Sequence, residues 1–100
     1  MKKQKKYNLY TDASFDNKSN VATYSIIIML ENKVFKAYSK RSRIQIKSST
    51  EIEVFAVYQA INLILSCYIN RDGNQVFSIN TDCAQVFFEN KNGLIKITQS

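Results

Sequence analysis

Two segments of this sequence close in the same way. Tyr10-Thr11-Asp12-Ala13 and Asn80-Thr81-Asp82-Cys83 each bring an aspartate to the end of a strand-like stretch, followed by a small residue. If the two are parallel neighbours, both carboxylates leave the sheet at one edge, and ligand sites of open α/β sheets lie off the carboxyl ends of strands. Neither aspartate has a cationic neighbour in sequence. Two carboxylates held together repel each other, and a hard cation is the usual remedy. Alone, Asp12 is an ordinary turn residue and Asp82 an ordinary helix N-cap; the matched context makes them a pair. Glu53 is the third acid. On a helix it shares a face with Ala56, Val57, Ala60, Ile64 and Cys67, so it heads an apolar stripe that points at the sheet. Glu51 shares a more mixed face with Phe55, Tyr58 and Asn62. A carboxylate at the head of a core-facing stripe needs a partner, and a cap on Thr50 or a shared cation would each supply one.

The rest of the composition narrows the chemistry. The chain has no histidine, which removes Ser-His and Cys-His nucleophilic catalysis. Its two cysteines, Cys67 and Cys83, form no CxxC, so the usual zinc sites and a disulfide framework are excluded as well. They read as the thiols of a cytoplasmic protein. Fourteen Lys+Arg against eight Asp+Glu give a net charge of +6, which suits a polyanionic partner such as nucleic acid. Four of those lysines lie within residues 1–6, a basic tail, so much of the excess is local. The longest apolar run, 26–30, is strand-sized and no membrane span is expected. The basic start is followed by no apolar stretch, so no secretory signal is expected either.

These acids must be positioned by a single domain, 7–100, in a chain of 100 residues. With 45% apolar and 12% aromatic residues the chain can build a core, which excludes wholesale disorder. Residues 7–12 read as a first strand. Asn17-Lys18-Ser19-Asn20 is a polar turn. Residues 21–30 form a long β-branched strand whose Ile26-Ile27-Ile28 run predicts burial on both faces. Glu31-Asn32-Lys33 turns the chain into a third strand over 34–39. A basic connector, 40–47, leads to Ser48, Ser49 and Thr50, three candidate N-caps, with overlapping capping boxes Ser48/Glu51 and Thr50/Glu53. The helix runs from Glu51 to about Cys67, with Val57, Ile61 and Leu65 beside its inner stripe. A turn over 70–74, a fourth strand over 76–82, a short second helix over 84–89 and a brief fifth strand over 94–98 complete the pattern. The fold class is therefore α/β: a three-strand meander, a helical crossover to a parallel fourth strand, and a short second helix on a mixed sheet.

The three acid segments together resemble ribonuclease H. The family carries a strand ending T-D-x-S, then E-x-x-A-x-x-x-A-[LI] on its first helix, then a strand ending T-D-[SC]. Here these are Thr11-Asp12-Ala13-Ser14, Glu53 with Ala56, Ala60 and Ile61, and Thr81-Asp82-Cys83. The segment Ser48-Ser49-Thr50-Glu51-Ile52-Glu53 is similar to ribonuclease H domains of copia-type retroelements. The resemblance covers about 7–90 and implies a minimal ribonuclease H-like fold. It implies that Asp12, Glu53 and Asp82 are catalytic and hold two Mg²⁺ (or Mn²⁺) ions for cleavage of RNA in an RNA–DNA hybrid. It further implies that Ser48, Ser49 and Thr50 meet the hybrid backbone, with Arg41 and Arg43, beside Lys40 and Lys47, on phosphates. The sequence departs from the family in lacking a later fourth carboxylate, the histidine before it, and the glycine-rich loop after the first aspartate. Asn17 and Asn20 are expected to take the left-handed positions of that loop. The departures keep a second reading open: a non-catalytic binding module of a phage or mobile element that blocks a nucleic acid or nucleoprotein complex. An exposed sheet edge would also let two copies pair as a homodimer.

Overall fold

The computed structural model of the chain describes residues 5–42, 45–68, 75–82 and 95–99. Five strands form one sheet in the order β3-β2-β1-β4-β5. They are β1 (Lys5–Asp16), β2 (Val21–Leu30), β3 (Lys33–Arg41), β4 (Gln75–Thr81) and β5 (Ile95–Gln99). The first three make the expected meander, with β2 antiparallel to both β1 and β3. Helix α1 (Ser49–Leu63) lies between β3 and β4 in the chain, and β4 returns parallel to β1. β5 pairs parallel to β4 and closes the other edge. The short second helix expected over 84–89 and the turn over 70–74 lie outside the described residues.

The turns follow from residue type. Asp16 accepts from the Lys18 backbone N–H and the Ser19 hydroxyl, each at 3.0 Å, while the Asn20 N–H closes onto the Asp16 carbonyl at 2.8 Å. Those two side-chain bonds hold the Asp16 carboxyl below the usual carboxylate range. Asn20 takes the left-handed conformation at φ 58°, as expected, whereas Asn17 does not. Glu31 and Asn32 both have positive φ, 52° and 69°. Two left-handed central residues match the right-handed twist of the flanking strands in a tight hairpin. A bulge between Ile28 and Met29 lets β3 carry one extra residue there.

Ser48 is the N-cap of α1. Its hydroxyl accepts from the Glu51 N–H at 3.2 Å, and the Glu51 carboxylate reaches back to the Lys47 N–H at 2.6 Å. The helix buries Ile52, Ala56, Val57, Ala60 and Ile61 against the sheet, then widens into a π-helical turn over Ile64–Tyr68. The widened turn keeps Ile64 fully buried and turns Leu65 outward to 50% exposure, against the expectation that Leu65 flanks the inner stripe.

The core lies between α1 and one face of the sheet. Tyr7, Leu9, Ile26, Ile28, Phe77, Ile79 and Ile95 meet Val57, Ala60, Ile61 and Ile64 there. Tyr7 stacks on Phe77 with centroids 4.8 Å apart, and Phe35 meets Tyr7 edge-on. A smaller cluster of Ala22, Ile46 and Ile52 holds the connector against the helix start. The expected burial of both faces of β2 is corrected by Ile27. Its neighbours Ile26 and Ile28 are buried, yet Ile27 is 39% exposed. Successive strand residues point to opposite faces, and among the described residues α1 covers only one of them. No helix among the described residues is long and apolar enough to cross a membrane.

Candidate functional site

The parallel ladder between β1 and β4 runs from Lys5↔Gln75 to Tyr10↔Asn80 with a constant offset. Asp12 and Asp82 each lie two residues beyond the last of these pairs, Tyr10↔Asn80. Asp12 is not at a strand end, as the sequence led one to expect. β1 continues to Asp16 because β2 goes on pairing with it, down to Asp16↔Val21. What ends near Asp12 is the pairing with β4, and that opening beside a continuing strand makes room for side chains. β1 also begins at Lys5, two residues inside the stretch expected as a basic tail, since Lys5 and Lys6 pair with Gln75 and Val76.

α1 crosses above this opening. Asp12, Glu53 and Asp82 line one pocket together with Thr11, Ala13, Ala56 and Thr81. Its free volume is about 20 Å³, room for little more than a single water-sized particle. Ala13 and Ala56 matter here because larger side chains would fill that space. Asp12 Oδ1 accepts from the Ala13 N–H at 2.9 Å, which fixes one of its oxygens. Because Ser48 and Glu51 make the cap, Glu53 stands outside it, half-buried at the pocket wall. The competing cap of Thr50 with Glu53 is therefore not the one formed.

The pocket's acidic residues, and the two threonines beside them, carry oxygen donors, the type that suits a hard divalent cation. Among the described residues, no three His, Cys, Asp or Glu stand close enough to hold a metal ion directly. Mg²⁺ commonly keeps several waters and takes only one or two carboxylates. Asp12, Glu53 and Asp82 border the same water-sized opening.

Asn80 was not singled out in the sequence. Its amide N–H₂ donates to the Leu9 carbonyl at 3.1 Å, tying β4 to β1 just ahead of both aspartates. Its place two residues before Asp82 was the available signal. A second group was also missed. Asp12, Ala13, Ser14, Thr23, Tyr24, Ser25 and Ser39 line an adjoining trough of about 120 Å³. Asp12 pairs with Ser25, which pairs with Ser39, so one rung of the sheet carries an acid and two hydroxyls in line. On the neighbouring rung Ser14 and Thr23 share a hydrogen bond of 2.7 Å. The alternation of Thr23 with Ser25 on β2, and the Ser14 of the T-D-x-S motif, were the legible hints.

The expected substrate contacts separate. Ser48 and Thr50 line a groove with Ile46, Glu51, Val54, Phe55 and Tyr58, and Ser49 is exposed beside them. Arg41 lines an adjoining groove with Lys40, Tyr24 and Gln59, and Phe55 borders both grooves. Arg43 lies outside the described residues.

No protein-family profile and no curated protein matches this sequence. Solved structures do match in shape. The LC11 ribonuclease H1 in complex with an RNA/DNA hybrid superposes with a TM-score of 0.58 at 14% identity, covering 78% of this chain and 55% of that one. The native protease–reverse transcriptase of prototype foamy virus superposes with a TM-score of 0.55 at 18% identity, covering 83% of this chain and 11% of that one. This chain therefore spans about half the length of the ribonuclease H1 it resembles. At such identities the likeness concerns the fold, and the fold is ribonuclease H-like.

Proposed function

We propose that this protein is a metal-dependent nuclease that cleaves RNA in an RNA–DNA hybrid or a closely related nucleic acid. The observation that carries the reading is the meeting of Asp12, Glu53 and Asp82 at one water-sized pocket of a ribonuclease H-like sheet. These three carboxylates would hold Mg²⁺ or Mn²⁺, which supplies activation of water and stabilisation of the leaving 3′-oxygen when bound. The chain's own residues do the positioning. Ser14, Thr23, Ser25 and Ser39 offer hydroxyls beside Asp12 that suit phosphate oxygens and 2′-hydroxyls. Asn80 keeps the two aspartate-bearing segments in register. The net charge of +6 favours approach of a polyanion.

A second reading has its own support. No three acids among the described residues are near enough to chelate a metal directly, as befits a binding module that kept the fold without the reaction. One assay separates the two. A hybrid labelled on its RNA strand is incubated with the protein and Mg²⁺ or Mn²⁺. The nuclease reading requires cutting that Asp12→Asn and Asp82→Asn each abolish. Cutting that survives both substitutions, or hybrid bound and never cut in either metal, removes it.

A further inference from the structure

On the flank of α1 away from the acids lies a groove of about 520 Å³, lined by Tyr24, Lys40, Arg41, Phe55 and Gln59. We infer that this groove binds an unpaired nucleotide of single-stranded nucleic acid, its base on the aromatic wall and its phosphates on Lys40 and Arg41. The inference needs neither metal nor cleavage, and so stands apart from the nuclease reading.

Four observations carry it. Among the described residues the lining holds two cations and no acid, and the whole of β3 repeats this with Lys33, Lys36, Lys40, Arg41 and no carboxylate. Lysines along an edge strand also discourage sheet-to-sheet pairing, which accounts for Lys33 and Lys36 equally well. The other end of β3 differs because Lys40 and Arg41 line one groove together with aromatic rings. Tyr24 and Phe55 meet edge-to-face, with centroids 5.5 Å apart and planes at 78°. Both are half-buried against the Ala22, Ile46 and Ile52 cluster, so the wall is held in place before any ligand arrives. Perpendicular rings leave one free to offer a face to a planar base while the other forms the side wall. Gln59, one helical turn beyond Phe55, adds an amide that can both donate to and accept from a base edge. The volume lies within the range of small-molecule sites, which a single nucleotide falls into.

The sheet also gives the groove a direction. Lys40 pairs with Tyr24, and Tyr24 with Ala13, which lines the acidic pocket. Two strand spacings, about 10 Å, separate the two sites along this rung. A nucleic-acid strand that leaves the groove along it reaches the acids within a few nucleotides.

The test is fluorescence anisotropy of a short fluorescein-labelled oligothymidylate, with EDTA present so that no cutting intervenes. Lys40→Ala with Arg41→Ala should weaken binding at least tenfold. It should also lower the slope of log K against log salt by about 1.4, near 0.7 for each phosphate no longer neutralised. Lys96→Ala, on the opposite edge strand, removes a charge without touching the groove and should change affinity less than twofold. An abasic oligomer of equal length should bind the wild type roughly tenfold more weakly, the size of effect expected for one stacked base. Phe55→Leu keeps an apolar side chain in the small cluster, and its folding is checked by circular dichroism. It should bind the two oligomers alike. Equal losses from Lys96→Ala and the groove variant would show diffuse attraction and overturn the inference. So would an abasic oligomer or a blunt duplex that binds as tightly as oligothymidylate.

Discussion

Replacing Asp12 by Asn removes one charge from the acidic pocket and little else. Asp12 Oδ1 accepts from the Ala13 N–H at 2.9 Å, and the carbonyl oxygen of an asparagine can take the same bond. The side chain is exposed, so no buried group is stranded. At a separation of roughly 6 Å, a little over the about 4.8 Å spacing of neighbouring strands, like charges repel measurably. In a water-like dielectric each such pair repels by about 0.7 kcal/mol, and salt reduces this further. Relief from two neighbours is then about 0.5–1.5 kcal/mol, or a rise of roughly 2–10 °C in Tm for a domain of this size. Divalent metal acts in the opposite sense on the pair of proteins. A ligand present at one hundred times its Kd, bound only to the native state, adds about 2.7 kcal/mol. That corresponds to an increase on the order of 10–20 °C for the wild type, most of which the Asp12→Asn variant should forfeit. Thermal melts of both proteins, in EDTA and in millimolar Mg²⁺ or Mn²⁺, read all four values. If the wild type shows no metal shift and Asp12→Asn melts lower in EDTA, the three acids are not a cation site and the reasoning fails.

The two glutamates of α1 should separate. Glu51→Ala removes the bond to the Lys47 N–H and should cost about 0.5–2 kcal/mol in denaturant melts while leaving any cleavage intact, whereas Glu53→Gln should abolish cleavage and the metal shift at nearly unchanged stability. Asn80→Ala deletes the half-buried bond to the Leu9 carbonyl; a loss of about 1–2 kcal/mol is expected, together with a weaker metal response, and a melt indistinguishable from wild type would deny Asn80 its role. Asp16 gives a pH test. Its folded pKa is lowered by its bonds to Lys18 and Ser19, so its contribution is full above the unfolded value near 3.9 and is lost as pH falls through the lower folded value. The difference in Tm between wild type and Asp16→Asn should therefore be constant near neutral pH and shrink as pH falls below the unfolded value of about 3.9, and a difference that never shrinks would contradict the assignment.

Much of this arrangement was legible in the chain itself. The turn at Glu31-Asn32, the Ser48 cap with Glu51, the extent of β2 and the parallel return to β1 all follow from local chemistry and the α/β alternation. So does the inward placement of Glu53, because the 3.6-residue repeat fixes which helical residues share a face. The sequence could not say which sheet face lay open. Ile26, Ile27 and Ile28 are alike in type, and only the seat of α1 on one side leaves Ile27 exposed. Nor could it place the opening at Asp12, which depends on β4 ceasing to pair while β2 continues. The hydroxyl rung of Ser25 and Ser39, the tie from Asn80 to Leu9, and the separation of Arg41 from Ser48 arise from register between segments far apart in the chain. Periodicity assigns a residue to a face of its own element. Pairing between elements decides which faces meet, and that information exists only once the sheet is assembled.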